Sequence, residues 1–191
     1  DGVGALKREN KIVTTGNMEQ TPPTKTPPAD IDRLEQSASN VLAATFGSLE
    51  EVPVPVRIGE IAKESGVQVK AGEFEHPDVS GMYLRDERTI YVDLDDEVNR
   101  QAFTIAHELG HHYLHADKHK EVYFRHFSEQ LNFEDKQQER EANWFAACLL
   151  MPRHAMLRAW SDTKETRELA HTFEVSQTAI YYRLTELGLA A

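Results

Sequence analysis

The sequence of 191 residues predicts an α+β fold, in which a small antiparallel sheet packs against helices. Apolar residues recur near helical spacing in residues 31–46, and again in residues 103–115 and 136–150. Between these segments, residues 81–94 alternate polar and apolar side chains on either side of a charged turn, which predicts a β-hairpin. Helices and a short sheet are therefore expected to share one core.

The elements before the hairpin follow from their caps and breakers. Asp30 can cap the first helix, which spans residues 31–46. Residues 55–66 predict a short helix that Gly66 closes, and the chain then turns into a strand at residues 67–69. The sheet is therefore expected to precede the helix at residues 103–115.

The second half of the chain is predicted to be mostly helical. Residues 116–135 form a long and weakly periodic connection, of the kind that often serves as a lid or rim. The helix at residues 136–150 stops before Pro152. Three short helices are predicted after it, in residues 151–160, 164–173 and 176–187.

These elements predict three regions. Residues 1–30 are polar and hold four of the eight prolines, so we expect a flexible N-terminal arm. The first methionine is Met18, and residues 1–17 are either an upstream extension or not native. Residues 31–152 are expected to form the main domain, and residues 153–191 a helical cap packed on it.

Composition excludes several classes of function. A net charge of −11 repels phosphate backbones and anionic membranes at long range, which disfavours direct nucleic-acid binding. One cysteine excludes an internal disulfide. The sequence contains no apolar run of the roughly 20 residues that a membrane helix needs, and no signal-peptide pattern. We therefore expect a cytoplasmic protein without a membrane partner.

The segment FTIAHELGHHYLH, residues 103–115, carries a metal-binding pattern. His107 and His111 are four residues apart, so on a helix they lie one turn apart on one face, where one zinc ion can bridge them. Glu108 projects beside that pair, where it is poorly placed as a ligand and well placed to take a proton from water. A catalytic zinc needs a third protein ligand as well.

The segment EREANWFAACLLMP, residues 139–152, supplies that ligand. A histidine six residues after His111 would define another class of zinc site, but that position is Asp117. On a helical wheel Glu139 shares its face with Asn143, whereas Glu141 points roughly the opposite way. Glu139 is therefore the predicted third ligand, and Asn143 can orient a zinc-bound histidine. The small side chains on the same helix would allow a close approach to the histidine helix; they are Ala142 and Ala146.

These two segments resemble the ImmA/IrrE family of zinc-dependent endopeptidases, and the resemblance covers about residues 57–188. It implies a zincin-like metallopeptidase fold, with His107, His111 and Glu139 as zinc ligands and Glu108 as the general base. Similar proteins occur in phages, in mobile elements and in stress responses, and some lie beside toxin–antitoxin pairs. The resemblance implies a protein substrate, either a helix-turn-helix repressor or an antitoxin, whose cleavage releases silenced genes.

Other polar residues are open to more than one interpretation. His115 lies one turn beyond His111, so it either contacts the site from behind a ligand or caps the helix end. His112 points away from the pair and is expected to serve packing or the surface. Cys148 is expected to be a buried small hydrophobe. A donor that stabilises an oxyanion could come from any of four residues, among which the sequence does not choose: His126, His171, Tyr181 and Tyr182.

The C-terminal segment at residues 169–189 resembles a helix-turn-helix. Its predicted recognition helix carries one basic residue, Arg183, and has Glu174 and Glu186 nearby, whereas phosphate contacts need clustered lysine and arginine. A structural cap is therefore the favoured interpretation. The hairpin at residues 81–94 is either ordinary sheet or the border of a cleft that pairs with an extended substrate.

Two alternative functions stay beside the zinc endopeptidase. The first is a non-enzymatic sensor that contains zinc and binds a transcription factor. The second is DNA binding through the C-terminal helices, which the charge balance opposes.

Overall fold

The computed structural model describes residues 11–12, 26–74, 79–115 and 133–190. Residues 116–132 of the predicted lid or rim, among them His126, lie outside these ranges, as does most of the predicted N-terminal arm. Residues 133–135, expected to belong to that connection, are helical instead. Within them the α+β prediction is confirmed by seven helices and four strands. In chain order these are β1 (Lys11–Ile12), α1 (Ile31–Phe46), α2 (Ile58–Glu64), β2 (Gln68–Phe74), β3 (Gly81–Leu84), β4 (Thr89–Asp93), α3 (Val98–Leu114), α4 (Phe133–Leu150), α5 (Arg153–Asp162), α6 (Thr166–Phe173) and α7 (Gln177–Glu186).

The sheet is mixed, with the strand order β1-β2-β4-β3 among the described residues. Strands β3 and β4 form the predicted antiparallel hairpin, in which Tyr83 is opposite Ile90. The prediction of a purely antiparallel sheet is wrong, because β2 pairs with β4 in parallel and places Val69 beside Ile90. Local alternation predicts a hairpin, but it carries no information on which strand a more distant segment joins.

Helix α4 lies at the centre of the core. Every residue from position 141 to 150 is buried, and α4 packs on α3 and on α1. The approach to α3 is close, because a Cβ added at Gly110 would lie 3.0 Å from the Cα of Ala142 and 3.2 Å from its Cβ. As predicted, the small side chain of Ala142 permits tight contact between the two helices.

Helix α3 is also held against the sheet. Thr104 is fully buried, and a Cβ added at Gly81 of β3 would overlap its side chain and lie 2.8 Å from the carbonyl oxygen of Tyr91. Glycine at position 81 thus permits this packing. The helix that carries the histidines is consequently fixed between β3 and α4.

The C-terminal helices are joined to the rest of the core by a buried charge cluster. Arg183 of α7 has no exposed surface and pairs with Glu35 of α1 at 2.7 Å and with Glu186 at 2.6 Å. Its Nε donates a hydrogen bond to the carbonyl oxygen of Met151 at 3.0 Å. These contacts suit the predicted cap, although the division of the chain at residue 152 stays a prediction. None of the helices in the described part of the chain is long and apolar enough to cross a bilayer.

Candidate metal centre

Helices α3 and α4 bring two histidines and one glutamate together. The Nε2 atoms of His107 and His111 lie 3.0 Å apart. The carboxylate of Glu139 lies 3.3 Å from the His107 nitrogen and 3.2 Å from the His111 nitrogen. The three predicted ligands therefore meet at one point, where all their ligand atoms lie within 4.8 Å of one another.

The chemistry of this donor set fits a metal ion. Two imidazole nitrogens and one carboxylate oxygen form a ligand set found in catalytic zinc sites. Metal–ligand bonds of about 2.0–2.1 Å at a tetrahedral angle would separate the ligand atoms by roughly 3.3–3.4 Å. The observed separations of 3.0 to 3.3 Å are close to that spacing. The cluster could therefore hold a metal ion with little rearrangement.

Asn143 contacts the first of these histidines. Its Oδ1 lies 2.9 Å from Nδ1 of His107, in a buried contact between α4 and α3. An amide oxygen can only accept a hydrogen bond, so Nδ1 carries the proton, and the unprotonated Nε2 keeps its lone pair for the cluster. The structure therefore brings Asn143 to the position that the sequence predicts for it.

His115 stands behind the second histidine. Its Nδ1 lies 3.2 Å from Nδ1 of His111, and it is 5% exposed. Its Nε2 lies 3.3 Å from Oε2 of Glu141. The two interpretations of His115 are compatible, because its ring contacts His111 while its backbone N–H caps the end of α3 by donating to the carbonyl oxygen of His111 at 3.2 Å.

Glu141 is not part of the His-His-Glu cluster, but it makes contacts that the sequence did not predict. The helical wheel directed it away from the cluster, but its carboxylate reaches His115 and also accepts hydrogen bonds from Arg33 at 3.0 Å and Gln137 at 2.9 Å. The wheel gives the direction of the Cα–Cβ bond, whereas the flexible side chain of glutamate extends further and reaches the end of α3. Arg33 is 108 residues away in sequence, so no local signal could have revealed this contact.

Two of the three glutamates of α4, Glu139 and Glu141, are held in the ionised form. Burial would raise the pKa of Glu139, but the charges of His111 and His107 and their hydrogen bonds outweigh it and hold the pKa well below its usual range. Burial would likewise raise the pKa of Glu141, and hydrogen bonds from Gln137, His115 and Arg33 lower it instead. An ionised carboxylate is the form that a metal ligand requires.

Glu108 lies on α3 directly after His107, and it is 1% exposed. This places a carboxyl group in the buried part of the metal-site helix. The role of Glu108 as proton acceptor is inferred from its position in the sequence motif, and it stays a prediction.

Arg85 is a contributor that the sequence did not single out. Its guanidinium donates to the carbonyl oxygens of His111 at 3.5 Å and His115 at 3.1 Å, at the C-terminal end of α3. The carbonyl oxygen of His111 also accepts a hydrogen bond from the backbone N–H of His115, whereas a cation at this end of a helix can satisfy a carbonyl beyond the last helical hydrogen bond, such as that of His115. Arg85 therefore supports the backbone of the turn that carries two of the site's histidines.

The remaining predicted residues lie as follows. Nδ1 of His112 contacts the hydroxyl of Tyr83 at 2.7 Å, which fits the expected packing role. Burial, together with the charges of Arg88 and Arg85, lowers the pKa of His112. Cys148 is buried as expected, and burial raises the pKa of its thiol. The structure does not choose an oxyanion donor among the three described candidates, of which two are exposed and one is partly buried: His171, Tyr181 and Tyr182.

Fold and site together define an α+β domain in which two packed helices present a His-His-Glu cluster that could bind a metal ion. The chain belongs to the family of the IrrE N-terminal-like domain, Peptidase_M78, whose model matches residues 62–185. The resemblance to ImmA/IrrE proteins, predicted from the two motifs, is thereby confirmed.

A solved structure of a Mycobacterium tuberculosis transcriptional regulator is similar to this chain, with a TM-score of 0.55 and 20% sequence identity. The match covers 81% of this chain and 46% of the other, so this chain spans less than half of that protein's length. At this identity the similarity concerns the fold alone. No curated protein matches the chain.

Proposed function

We propose that the protein is a zinc-dependent endopeptidase that cuts a DNA-binding repressor or an antitoxin and thereby derepresses genes. The observation that carries this proposal is the convergence of His107, His111 and Glu139 on one point. The buried Glu108 follows His107 directly on the same helix. Three protein ligands leave one position of a tetrahedral zinc open, as hydrolysis requires, whereas structural zinc sites have four protein ligands.

The chain's own residues divide the work between binding and proton transfer. His107, His111 and Glu139 would hold the zinc, which when bound polarises the scissile carbonyl and lowers the pKa of water toward about 7. Glu108 takes a proton from the attacking water and passes it to the nitrogen of the leaving amine. Asn143 keeps Nε2 of His107 directed at the metal.

The class of substrate is argued from charge and from the family. A net charge of −11 complements a basic partner, and proteins that bind DNA are commonly basic. The family is named after IrrE, and the similar solved structure is a transcriptional regulator, which supports a role in gene control. Such a partner would place the reaction in the cytoplasm.

An edge strand offers a place for an extended substrate. Among the described strands β3 is last in the sheet order, and it packs against the metal-site helix α3. An edge strand can pair with a peptide backbone through main-chain hydrogen bonds. This use of the hairpin stays a prediction.

Direct DNA binding is not favoured. Arg183, the basic residue of the predicted recognition helix, is fully buried in ion pairs with Glu35 and Glu186. Its guanidinium is therefore not available to phosphate groups. In the sensor alternative the protein binds a transcription factor without cutting it. Proton transfer by Glu108 is then not needed for the effect on genes.

Replacement of Glu108 separates these two functions. Glu108→Gln is expected to keep the zinc and the partner affinity but to cleave about 10²–10⁴-fold more slowly, because an amide cannot accept the proton. The assay combines zinc content, cleavage of the repressor or antitoxin encoded beside the protein, and derepression in cells. His107→Ala should lose both zinc and cleavage. If Glu108→Gln derepresses as well as the parent, the output does not depend on hydrolysis and the sensor function replaces the peptidase.

A further inference from the structure

A continuous polar chain leads from the metal centre to the first helix of the domain. Nδ1 of His111 meets Nδ1 of His115 at 3.2 Å, and Nε2 of His115 meets Oε2 of Glu141 at 3.3 Å. Arg33 of α1 donates a hydrogen bond to the same oxygen at 3.0 Å. His111, His115 and Glu141 are all buried, whereas the Arg33 side chain is 49% exposed.

The hydrogen bonds of this chain run in one direction once His111 binds a metal. Nε2 of His111 must then be unprotonated and bind the metal through its lone pair, so Nδ1 carries the proton and donates a hydrogen bond to Nδ1 of His115. Nε2 of His115 in turn carries a proton and donates it to Glu141. Arg33 and Gln137 donate to the same carboxylate. Each of these contacts then pairs one donor with one acceptor.

The geometry points to a positioning role for this chain. We propose that His115, Glu141 and Arg33 hold the His111 ring in the tautomer and orientation that present Nε2 to the metal. The inference rests on the proposed function only in assuming that a metal occupies the site. Arg33 lies outside residues 62–185, the region that matches the family. Helix α1 is therefore part of the metal centre of this chain.

The hydrogen-bonded series from His111 to Arg33 explains why a histidine and a glutamate are buried together at the end of α3. His115 and Glu141 are 5% and 7% exposed, and burying such groups is costly unless their hydrogen bonds are satisfied. Each satisfies the other, and Arg33 offsets the negative charge of Glu141 from the half-exposed end of the chain. Outer hydrogen-bond partners of this kind fix the ring orientation of a ligand histidine.

The test measures zinc affinity of the full chain by competition with a chelator. Glu141→Ala is expected to weaken zinc binding by about 10–100-fold, the range typical for loss of an outer partner of a metal ligand. Arg33→Ala should weaken it by about 10-fold, the lower end of that range, since His115 and Gln137 still hold Glu141. Arg33→Lys keeps a positive charge beside Glu141 and should restore part of the affinity.

The matched control is Arg153→Ala. Arg153 is 44% exposed and pairs at 3.5 Å with Glu186, a carboxylate that is buried like Glu141 but is not part of the chain to His111. This variant should bind zinc as the parent does. Cobalt(II) serves as a second probe, since its absorption spectrum depends on ligand geometry. The spectrum should change in Glu141→Ala and stay unchanged in Arg153→Ala.

The outcomes separate the positioning chain from the function on which it rests. If Arg33→Ala and Glu141→Ala bind zinc as tightly as Arg153→Ala, with unchanged cobalt spectra, the chain has no positioning role and the peptidase proposal stands. If the parent binds neither metal, both proposals fail. Should Glu141→Ala not fold, Arg33→Ala still decides the matter, because it removes only a half-exposed side chain.

Discussion

Replacing Gly110 with alanine would insert a methyl group where the two metal-site helices are closest. The new Cβ would lie 3.0 Å from the Cα of Ala142, 3.2 Å from its Cβ and 3.2 Å from its carbonyl oxygen. Two of these three atoms belong to the backbone and cannot rotate away. Helix α3 would therefore have to move from α4 by a few tenths of an ångström, and the histidines would move away from Glu139.

Two opposing terms set the size of the effect on stability. Alanine is favoured over glycine inside a helix by about 1 kcal/mol, whereas overpacking a tight interface costs about 1–3 kcal/mol. The net expectation for Gly110→Ala is a loss of about 0–2 kcal/mol in the free energy of unfolding. Zinc affinity should fall as well, by about tenfold for each 1.4 kcal/mol of strain that metal binding has to reverse.

Urea denaturation of the metal-free protein, together with zinc titration, measures both quantities. Gly59→Ala in α2 is the control, because a Cβ there would meet nothing within 4 Å, and it should stabilise the protein by up to about 1 kcal/mol. Ala142→Gly removes the contact between the two Cβ atoms, so Gly110→Ala should cost less stability in the Ala142→Gly background than in the parent. If Gly110→Ala stabilises as much as Gly59→Ala and binds zinc normally, the helices are not in tight contact and the reasoning is refuted.

Three further variants test a metal ligand, the buried arginine and a histidine of α5. Glu139→Ala should lose the zinc, as metal analysis would show, because two histidines rarely hold a catalytic zinc. Arg183→Ala should cost about 3–5 kcal/mol in urea denaturation, since it leaves the mostly buried carboxylate of Glu35 without this cation and Glu186 with only the half-exposed Arg153 at 3.5 Å. For His154, burial and the charge of Arg158 lower the pKa. As the pH falls below about 6.5, His154 takes up a proton in the unfolded chain before it does so in the folded protein, so the free energy of unfolding decreases. His154→Gln should therefore lose less stability than the parent between about pH 7 and 5.

Each of these expectations has a result that contradicts it. A Glu139→Ala variant that still holds one zinc per chain would remove Glu139 from the ligand set. A loss below about 1 kcal/mol in Arg183→Ala would mean that Glu35 and Glu186 are hydrated or protonated at little cost once the guanidinium is gone. For His154→Gln, an acid-induced loss of stability equal to that of the parent would show that His154 does not contribute to it.

Local patterns in the sequence predicted the parts of the site that depend on helical geometry. His107 and His111 share a face because they are four residues apart, and Glu139 meets them because its helix packs closely on α3, where Gly110 approaches Ala142. The β3–β4 hairpin was predictable for the same reason, because its turn and alternation are contiguous in sequence. Spacing along one element is sufficient for features of this kind.

Contacts between distant segments were beyond such patterns. The parallel pairing of β2 with β4 depends on where the chain returns after β2, and the bond between Arg33 and Glu141 joins residues 108 positions apart. The burial of Arg183 was hidden for a similar reason, since its partner Glu35 lies on α1. A charged residue on a short amphipathic helix is ordinarily a surface residue, and only tertiary packing makes this one part of the core.

Helix α1 joins the metal centre to the C-terminal helices through two residues that are two positions apart. Arg33 contacts Glu141 and so reaches His111 through His115, while Glu35 pairs with Arg183 of α7. The two contacts are electrostatic, and each depends on the placement of the same helix. Because α3 is also fixed by Thr104 against β3 and by Gly110 against α4, the position of the His111 ring is determined from three sides. A site built on such rigid elements can hold its ligands in a fixed arrangement before any metal binds.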